Sequence, residues 1–377
     1  MRYWSITLHF YQPPTQSAEI TQQVLESCYL PLLKMLLGKQ GYGLTLNLSG
    51  SLLFQLRRLN ANRFFEMVKQ LVSEGKVELT TSALYHPLMT ITPVDVLKRQ
   101  IKKNSEMLEE IFEVKSTVGF FPPELAVNKS SLELMPVKYV FVDESALTSS
   151  VKGHSIARYN DKLLLINSHD VCAIFRAYPT ILKASVVLDV VKNNCGEGEL
   201  LVSVNDAELF GHHYSERLQV LSDLLDSKEV QLITASAAVS RFGSSADIVN
   251  NIRPSTWQEG KRFELWSKNK LQKKYLAMLQ AVHDFIAGST NATAQDYLDQ
   301  AYSSCYLYWL SNWPWWHPGL VEKGVQNLVR SIAIAEGEDR KKIAIEELCR
   351  SFSNEMWEFH ESGKVEKNYR RFEKERN

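Results

Sequence analysis

Asp206 and Glu208 follow an apolar run, 200–204, and precede Gly211, His212 and His213. Carboxylates and imidazoles supply nucleophiles, general acids and metal ligands, and a buried strand that ends in them is poor material for a core. In parallel α/β proteins the carboxyl ends of strands are where chemistry sits. The same groups could instead cap the helix that begins near Tyr214. Similar polar clusters leave other apolar runs: His9 and Gln12, Glu78 and His86, Glu124, and Asp143 with Glu144. Gathered at one mouth, they suit either glycosyl transfer by a nucleophile and a proton donor or metal-assisted hydrolysis. Adjacent His212 and His213 point in different directions and no H-x₃₋₅-H or CxxC spacing occurs, so the carboxylate chemistry is favoured over the metal.

Something must bring these residues together. Runs at 3–10, 44–48, 77–81, 117–121, 139–142, 200–204 and 230–235 read as strands. Most end in polar residues, and helical patterns lie between them. Pro93 opens one such helix, with Val94, Leu97, Ile101, Leu108 and Ile111 at helical spacing. Residues 155–168 read as an inserted hairpin turning at Asn160-Asp161. Strand, polar exit and helix, seven times over, predict a parallel (β/α)7-type barrel rather than an open sheet, because no glycine-rich phosphate loop follows any strand. The pattern changes near residue 250. Leu271, Tyr275, Leu279, Val282 and Ile286 share a helix face, and seven of the eight tryptophans lie from Trp257 onward. The expected division is a catalytic barrel over 1–250 and an α-helical domain over 251–377 that completes the cleft.

The 377 residues carry 43 Lys and Arg against 43 Asp and Glu. No basic surface for nucleic acid is implied, and no apolar stretch approaches the ~20 residues that span a bilayer. Five scattered cysteines fit reduced thiols and a cytoplasmic location. The tail 364–376 mixes basic residues with glutamates and reads as a frayed end.

With those residues in hand, the chain resembles glycoside hydrolase family 57, retaining enzymes of α-amylase, 4-α-glucanotransferase and branching types that act on α-glucans. His9-Phe10-Tyr11-Gln12-Pro13 resembles the family's first motif, with Tyr11 where a second histidine is usual. Gly75–Thr81 followed by Tyr85-His86-Pro87 resembles the second, and Phe121-Pro122-Pro123-Glu124 the third, with Phe120-Phe121 where a tryptophan is common. Asp206 through His212 matches the fourth letter for letter. Ser255-Thr256-Trp257 and the aromatic run from Tyr308 to Trp316 resemble the fifth.

The resemblance implies roles. Glu124 would be the nucleophile, and Asp206 the acid/base, its pKa raised by apolar neighbours such as Val204 and Phe210 and by the charge of Glu124. His9, Gln12, Glu78, His86, Asp143, Glu208 and His212 would contact sugar hydroxyls or hold their neighbours. Trp257 and one of Trp313, Trp315 and Trp316 would reach the sugar rings. The substrate would be an oligo- or polysaccharide of α-linked glucose, with no cofactor and no metal. A weak or inactive glucan-binding member of the same fold, and a metal-dependent carbohydrate deacetylase, are the other readings these residues allow.

Overall fold

A computed structural model describes residues 1–114, 118–148, 155–178, 180–258 and 263–365. Position 117, the expected start of one strand, and 366–376 of the expected frayed tail lie outside them. The chain forms two compact units: Met1–Gln12, Gln16–Leu84 and Met89–Trp257 in one, and Pro13–Thr15, Tyr85–Leu88 and Gln258–Asn377 in the other.

The first unit holds ten strands: β1 (Arg2–Phe10), β2 (Leu44–Leu48), β3 (Val77–Thr80), β4 (Gly119–Phe120), β5 (Tyr139–Asp143), β6 (Ile156–Tyr159), β7 (Lys162–Asn167), β8 (Leu200–Asp206), β9 (Val230–Leu232) and β10 (Asp247–Ile248). Seven of them run parallel around a ring. β8, β1, β2 and β3 pair in turn, a Thr81–Phe120 bridge leads to β4, and β4, β5 and β7 follow. A single pair, Asn167 with Val202, closes β7 onto β8. Nearly every residue of these strands is buried, which is why they read as apolar runs without alternation.

The expected number of strands holds, but two members change places. The second strand of the hairpin, β7, is in the ring, paired with β5 over five residues. The run at 230–235 contributes only the three residues of β9, which flank the amino-terminal end of β1. Hairpin pairing is local and visible in the Asn160-Asp161 turn, where Asn160 takes φ 52°; the pairing of β7 with β5 is not local, and nothing in the hairpin itself announces it.

The intervening helices lie as their spacing predicts. Asn62–Ser73 buries Phe64, Met67, Val68 and Leu71, and Val94–Phe112 buries Leu97, Ile101, Leu108 and Ile111. Val94 is the exception: it is exposed in the first turn after Pro93, and Val96 takes the buried face instead. The long helical stretch after β1 is interrupted by a π turn, Leu25–Tyr29, between Ala18–Val24 and Leu30–Gly38. Such turns shift every following side chain around the axis.

The second unit is helical: Glu264–Ser267, Lys270–Ile286, Ala292–Ala301, Ser304–Trp309, Pro318–Ile334 and Asp339–Glu361. Asn269 and Gln272 form a capping box at the start of its first long helix. Leu271, Tyr275, Leu279, Val282 and Ile286 are all buried, as their shared face requires. Among the described residues no helix is long and apolar enough to cross a membrane.

Candidate active site

The carboxyl ends of the ring strands carry a layer of polar side chains. In strand register His9 is the partner of Asn47 on one side and of Asp206 on the other, so neighbouring backbones lie about 4.8 Å apart. Asn47 donates through Nδ2 to the Thr80 carbonyl at 3.2 Å, which turns its Oδ1 toward His9 Nδ1 at 2.8 Å. The proton of His9 therefore sits on Nδ1 and the lone pair on Nε2. Burial lowers the imidazole pKa to about 4, against the opposing bond to Asn47, and the ring is neutral at physiological pH. The ring of Phe121 stacks on it at 4.4 Å between centroids and that of Tyr11 at 5.7 Å.

Glu124 leaves β4 in a strained turn. After Pro122 and Pro123, Glu124 takes φ 59° and Leu125 φ 46°, both left-handed, a conformation that costs a non-glycine residue about 1–3 kcal/mol and recurs at functional sites. A strap from elsewhere in the chain holds it there. Ser255 pairs with Val127 by two backbone bonds of 3.0 Å, and Trp257 N donates to the Glu124 carbonyl at 3.1 Å. Trp257 Nε1 then donates to Glu124 Oε2 at 2.8 Å. The same indole meets the edges of His9 and Phe121, at 6.3 and 6.1 Å.

Asp206 ends β8, and its carboxyl accepts no hydrogen bond from any described residue. Burial raises its carboxyl pKa well above the ordinary value, with the charge of Arg176 opposing. Val204 and Phe210, named from the sequence as its apolar neighbours, are both buried. Glu208 is 8 % exposed and is raised too, first by burial and then by the charge of Asp206. Its Oε1 accepts from the Tyr29 hydroxyl and from Gln12 Nε2. Gly211 closes this turn at φ 138°, and a Cβ there would lie 2.8 Å from the Ser27 carbonyl oxygen; only glycine fits both demands.

The other expected residues fall in different places. Asp143 is fully buried and pairs with His169 Nε2 at 2.5 Å, while Glu144 meets His169 Nδ1 at 3.2 Å. Its hydrogen bonds to those two carboxylates raise the His169 pKa to about 10, so it is a cation at neutral pH. Asp143 is therefore already paired within the protein. Glu78 does not stand at the mouth: it is the register partner of Thr45, two residues before the His9 layer. Its Oε1 accepts from Thr45 Oγ1 at 3.0 Å, Tyr139 OH at 2.9 Å and Ser236 N at 2.9 Å, fixing the start of the helix Ala235–Phe242. Gln12 spends its amide on Glu208 and Tyr29 and accepts from Gln16. His212 is half-buried, with Ser27 Oγ at 3.5 Å. His86, Trp313, Trp315 and Trp316 belong to the helical unit. There His86 Nδ1 lies 2.9 Å from Ser304 Oγ, Trp315 is 55 % exposed, and Trp316 packs on Phe359 and donates to His360 Nδ1 at 3.1 Å.

Sequence reading overlooked Asn47, Tyr29 and His169. Asn47 ends an apolar run and could have been found by the same rule that found Asp206. Tyr29 and His169 sit inside helical patterns and carry no such signal.

The sequence model of Glycosyl hydrolase family 57 matches residues 6–249. The alpha-amylase of Pyrococcus furiosus is 26% identical over 141 residues, which are 36% of this chain and 21% of the amylase. Among solved structures, a branching enzyme of the same family from Thermococcus kodakaraensis superposes with a TM-score of 0.71 at 14% identity, over 93% of this chain and 95% of that one. The 4-alpha-glucanotransferase of Thermococcus litoralis gives 0.70 at 17% identity, over 89% of this chain and 59% of that one.

Proposed function

The chain belongs to glycosyl hydrolase family 57, and on that premise we propose that it is a retaining glycoside hydrolase or transglycosylase acting on α-linked glucan. One observation carries the reading: two carboxyl groups at or beyond the ends of different ring strands have different surroundings, Glu124 with a donor and Asp206 with none. Glu124 receives an N–H bond from Trp257, which favours its ionised form. Asp206 receives none, and desolvation favours its protonated form. A carboxylate that accepts an N–H bond and a carboxyl raised by desolvation can divide the nucleophile and acid roles between them.

In the first step Glu124 attacks the anomeric carbon while the bond to the leaving oxygen breaks and Asp206 gives that oxygen its proton. In the second, Asp206 takes a proton from water or a sugar hydroxyl, whose oxygen displaces Glu124 from the anomeric carbon. His9 Nε2, an acceptor in its neutral tautomer, receives a bond from a sugar hydroxyl beside the reacting centre. The names of the relatives, an alpha-amylase, a branching enzyme and a 4-alpha-glucanotransferase, support an α-glucan as substrate.

Glu124→Ala should lose about 10⁴-fold or more in kcat on maltooligosaccharides. Azide should restore transfer and yield a glycosyl azide of inverted configuration, because it fills the place of the missing carboxylate. A variant that keeps wild-type turnover sinks the assignment.

A further inference from the structure

The helix His169–Ala177 follows β7 and lies against β8, where Cys172 Sγ donates to the Val204 carbonyl at 3.0 Å. Its last turn carries Arg176, which is half-buried and whose guanidinium is hydrogen-bonded or ion-paired to no described residue. An arginine presents five donors in a planar fork, and none of them is claimed here. We propose that Arg176 is a substrate-binding residue, donating to the hydroxyls of the glucosyl unit on the leaving side of the bond that breaks. An acceptor sugar would take the same place in transfer. The inference rests on the acid/base role given to Asp206 and adds how the sugar beyond it is held.

The end of this helix is fixed against the turn that Asp206 opens. The last carbonyls of a helix have no partner within it, and the Tyr214 hydroxyl donates to that of Arg176 at 2.9 Å. The ring of Phe175 packs on that of Phe210, 5.4 Å between centroids, and Phe210 and Tyr214 are bridged through their backbones. Tyr214 is held in its turn by Arg217, a fully buried residue whose guanidinium lies 3.2 Å from the centroid of the tyrosine ring. The backbone of Arg176 is thus placed while its side chain keeps its donors.

The ring gives the side. β4, which leads to Glu124, and β8 stand across the ring from one another, and β7 is next to β8. Arg176 therefore belongs to the Asp206 side, and the Asp206 carboxyl feels its charge. In a retaining mechanism each displacement inverts the anomeric carbon, so the leaving oxygen departs away from Glu124. The sugar it carries lies beside Asp206, within the field of that cation. A positive charge beside a general acid works against it, since it favours the ionised carboxyl. Charge-assisted bonds to sugar hydroxyls give the arginine a use that offsets this cost.

The test compares two leaving groups on one donor. A maltooligosaccharide has a sugar on the leaving side, and α-maltosyl fluoride has none. Arg176→Gln should lower kcat/KM on the maltooligosaccharide by roughly 10- to 100-fold, the loss of a bond from a charged donor. On the fluoride the loss should be less than about twofold. Tyr214→Phe keeps the ring under Arg217 and removes only the hydroxyl; it should show the same preference with a smaller loss, roughly two- to tenfold. In either variant, equal losses on both substrates, or no loss on the maltooligosaccharide, overturn the inference. Asp206→Asn separates this from the reaction assignment, because fluoride needs little protonation and should be spared there too. If Asp206→Asn loses both substrates alike, the acid role fails; if it spares the fluoride while the other two variants do not, only the role of Arg176 fails.

Discussion

The exits of β4 and β8 present the same functional group in opposite surroundings. Glu124 is held in a left-handed backbone by a strap from residues 255–257 and bonded by an indole N–H. Asp206 ends a seven-residue strand in regular extended backbone, φ −66° and ψ 132°, with no donor at its carboxyl. One exit invests backbone strain and a hydrogen bond in fixing an anion. The other offers no donor, and desolvation favours its proton. The chemistry of a carboxyl group is set here by what surrounds it, not by its type.

The largest effect expected from disturbing this contrast is at Asp206. Asp206→Asn should lower kcat on unactivated glucans by roughly 10²–10⁴-fold. Substrates with good leaving groups should be spared most of that loss in the first step, and the basic limb of the pH profile should vanish. A limb that survives places the acid elsewhere.

Removing the donor on the other side should cost less. Trp257→Phe keeps an aromatic ring beside His9 but deletes the bond to Glu124, a loss of about 1.5–3 kcal/mol for a bond to a charged group, or roughly 10- to 100-fold in kcat. Since the donor favours the ionised carboxylate, its loss should also move the acid limb to higher pH. Kinetics that fall without that movement would make Trp257 a packing residue only.

Arg176 offers the finest adjustment. Its charge favours ionised Asp206, so Arg176→Gln should let Asp206 hold its proton to higher pH and extend the basic limb upward. Arg176 is only half-buried, and the shift should be roughly a few tenths of a unit. A shift downward would show that Arg176 does not act on Asp206 through its charge.

Much of this contrast was legible in the sequence because local and functional demands coincide there. Asp206 through His212 reads clearly since the same short turn carries the acid, the glycine that the approach to Ser27 requires, and the end of a buried strand. The ring was legible for a related reason: strands buried on both faces are apolar until the residue where they meet solvent or a site. Contacts between distant segments were not. Nothing near Glu78 says that Thr45, Tyr139 and Ser236 claim its carboxylate, and nothing near Gln12 says that its amide is spent on Glu208 and Tyr29. Ser255-Thr256-Trp257 could be matched to a motif, but its work as a strap on Glu124 depends on a pairing across more than a hundred residues. The π turn at Leu25–Tyr29 left no trace in the hydrophobic period, and with it Tyr29 went unseen.

The closure of the ring has its own consequence. Between β7 and β8 only Asn167 and Val202 pair, and the Asn167 side chain stands in for the missing ladder. Its Oδ1 accepts from Val204 N at 2.8 Å and from Cys172 Sγ at 2.8 Å, and Ser168 N reaches the Val202 carbonyl at 3.0 Å. A barrel shut this way has a seam. Thermal breathing opens a structure where the fewest backbone bonds must break together, and the ring has two such joints: β7 against β8, and the single Thr81–Phe120 bridge between β3 and β4. Asp206 stands at the end of one lip, and the lifetime of the closed seam sets how long its distance from the rest of the mouth is held.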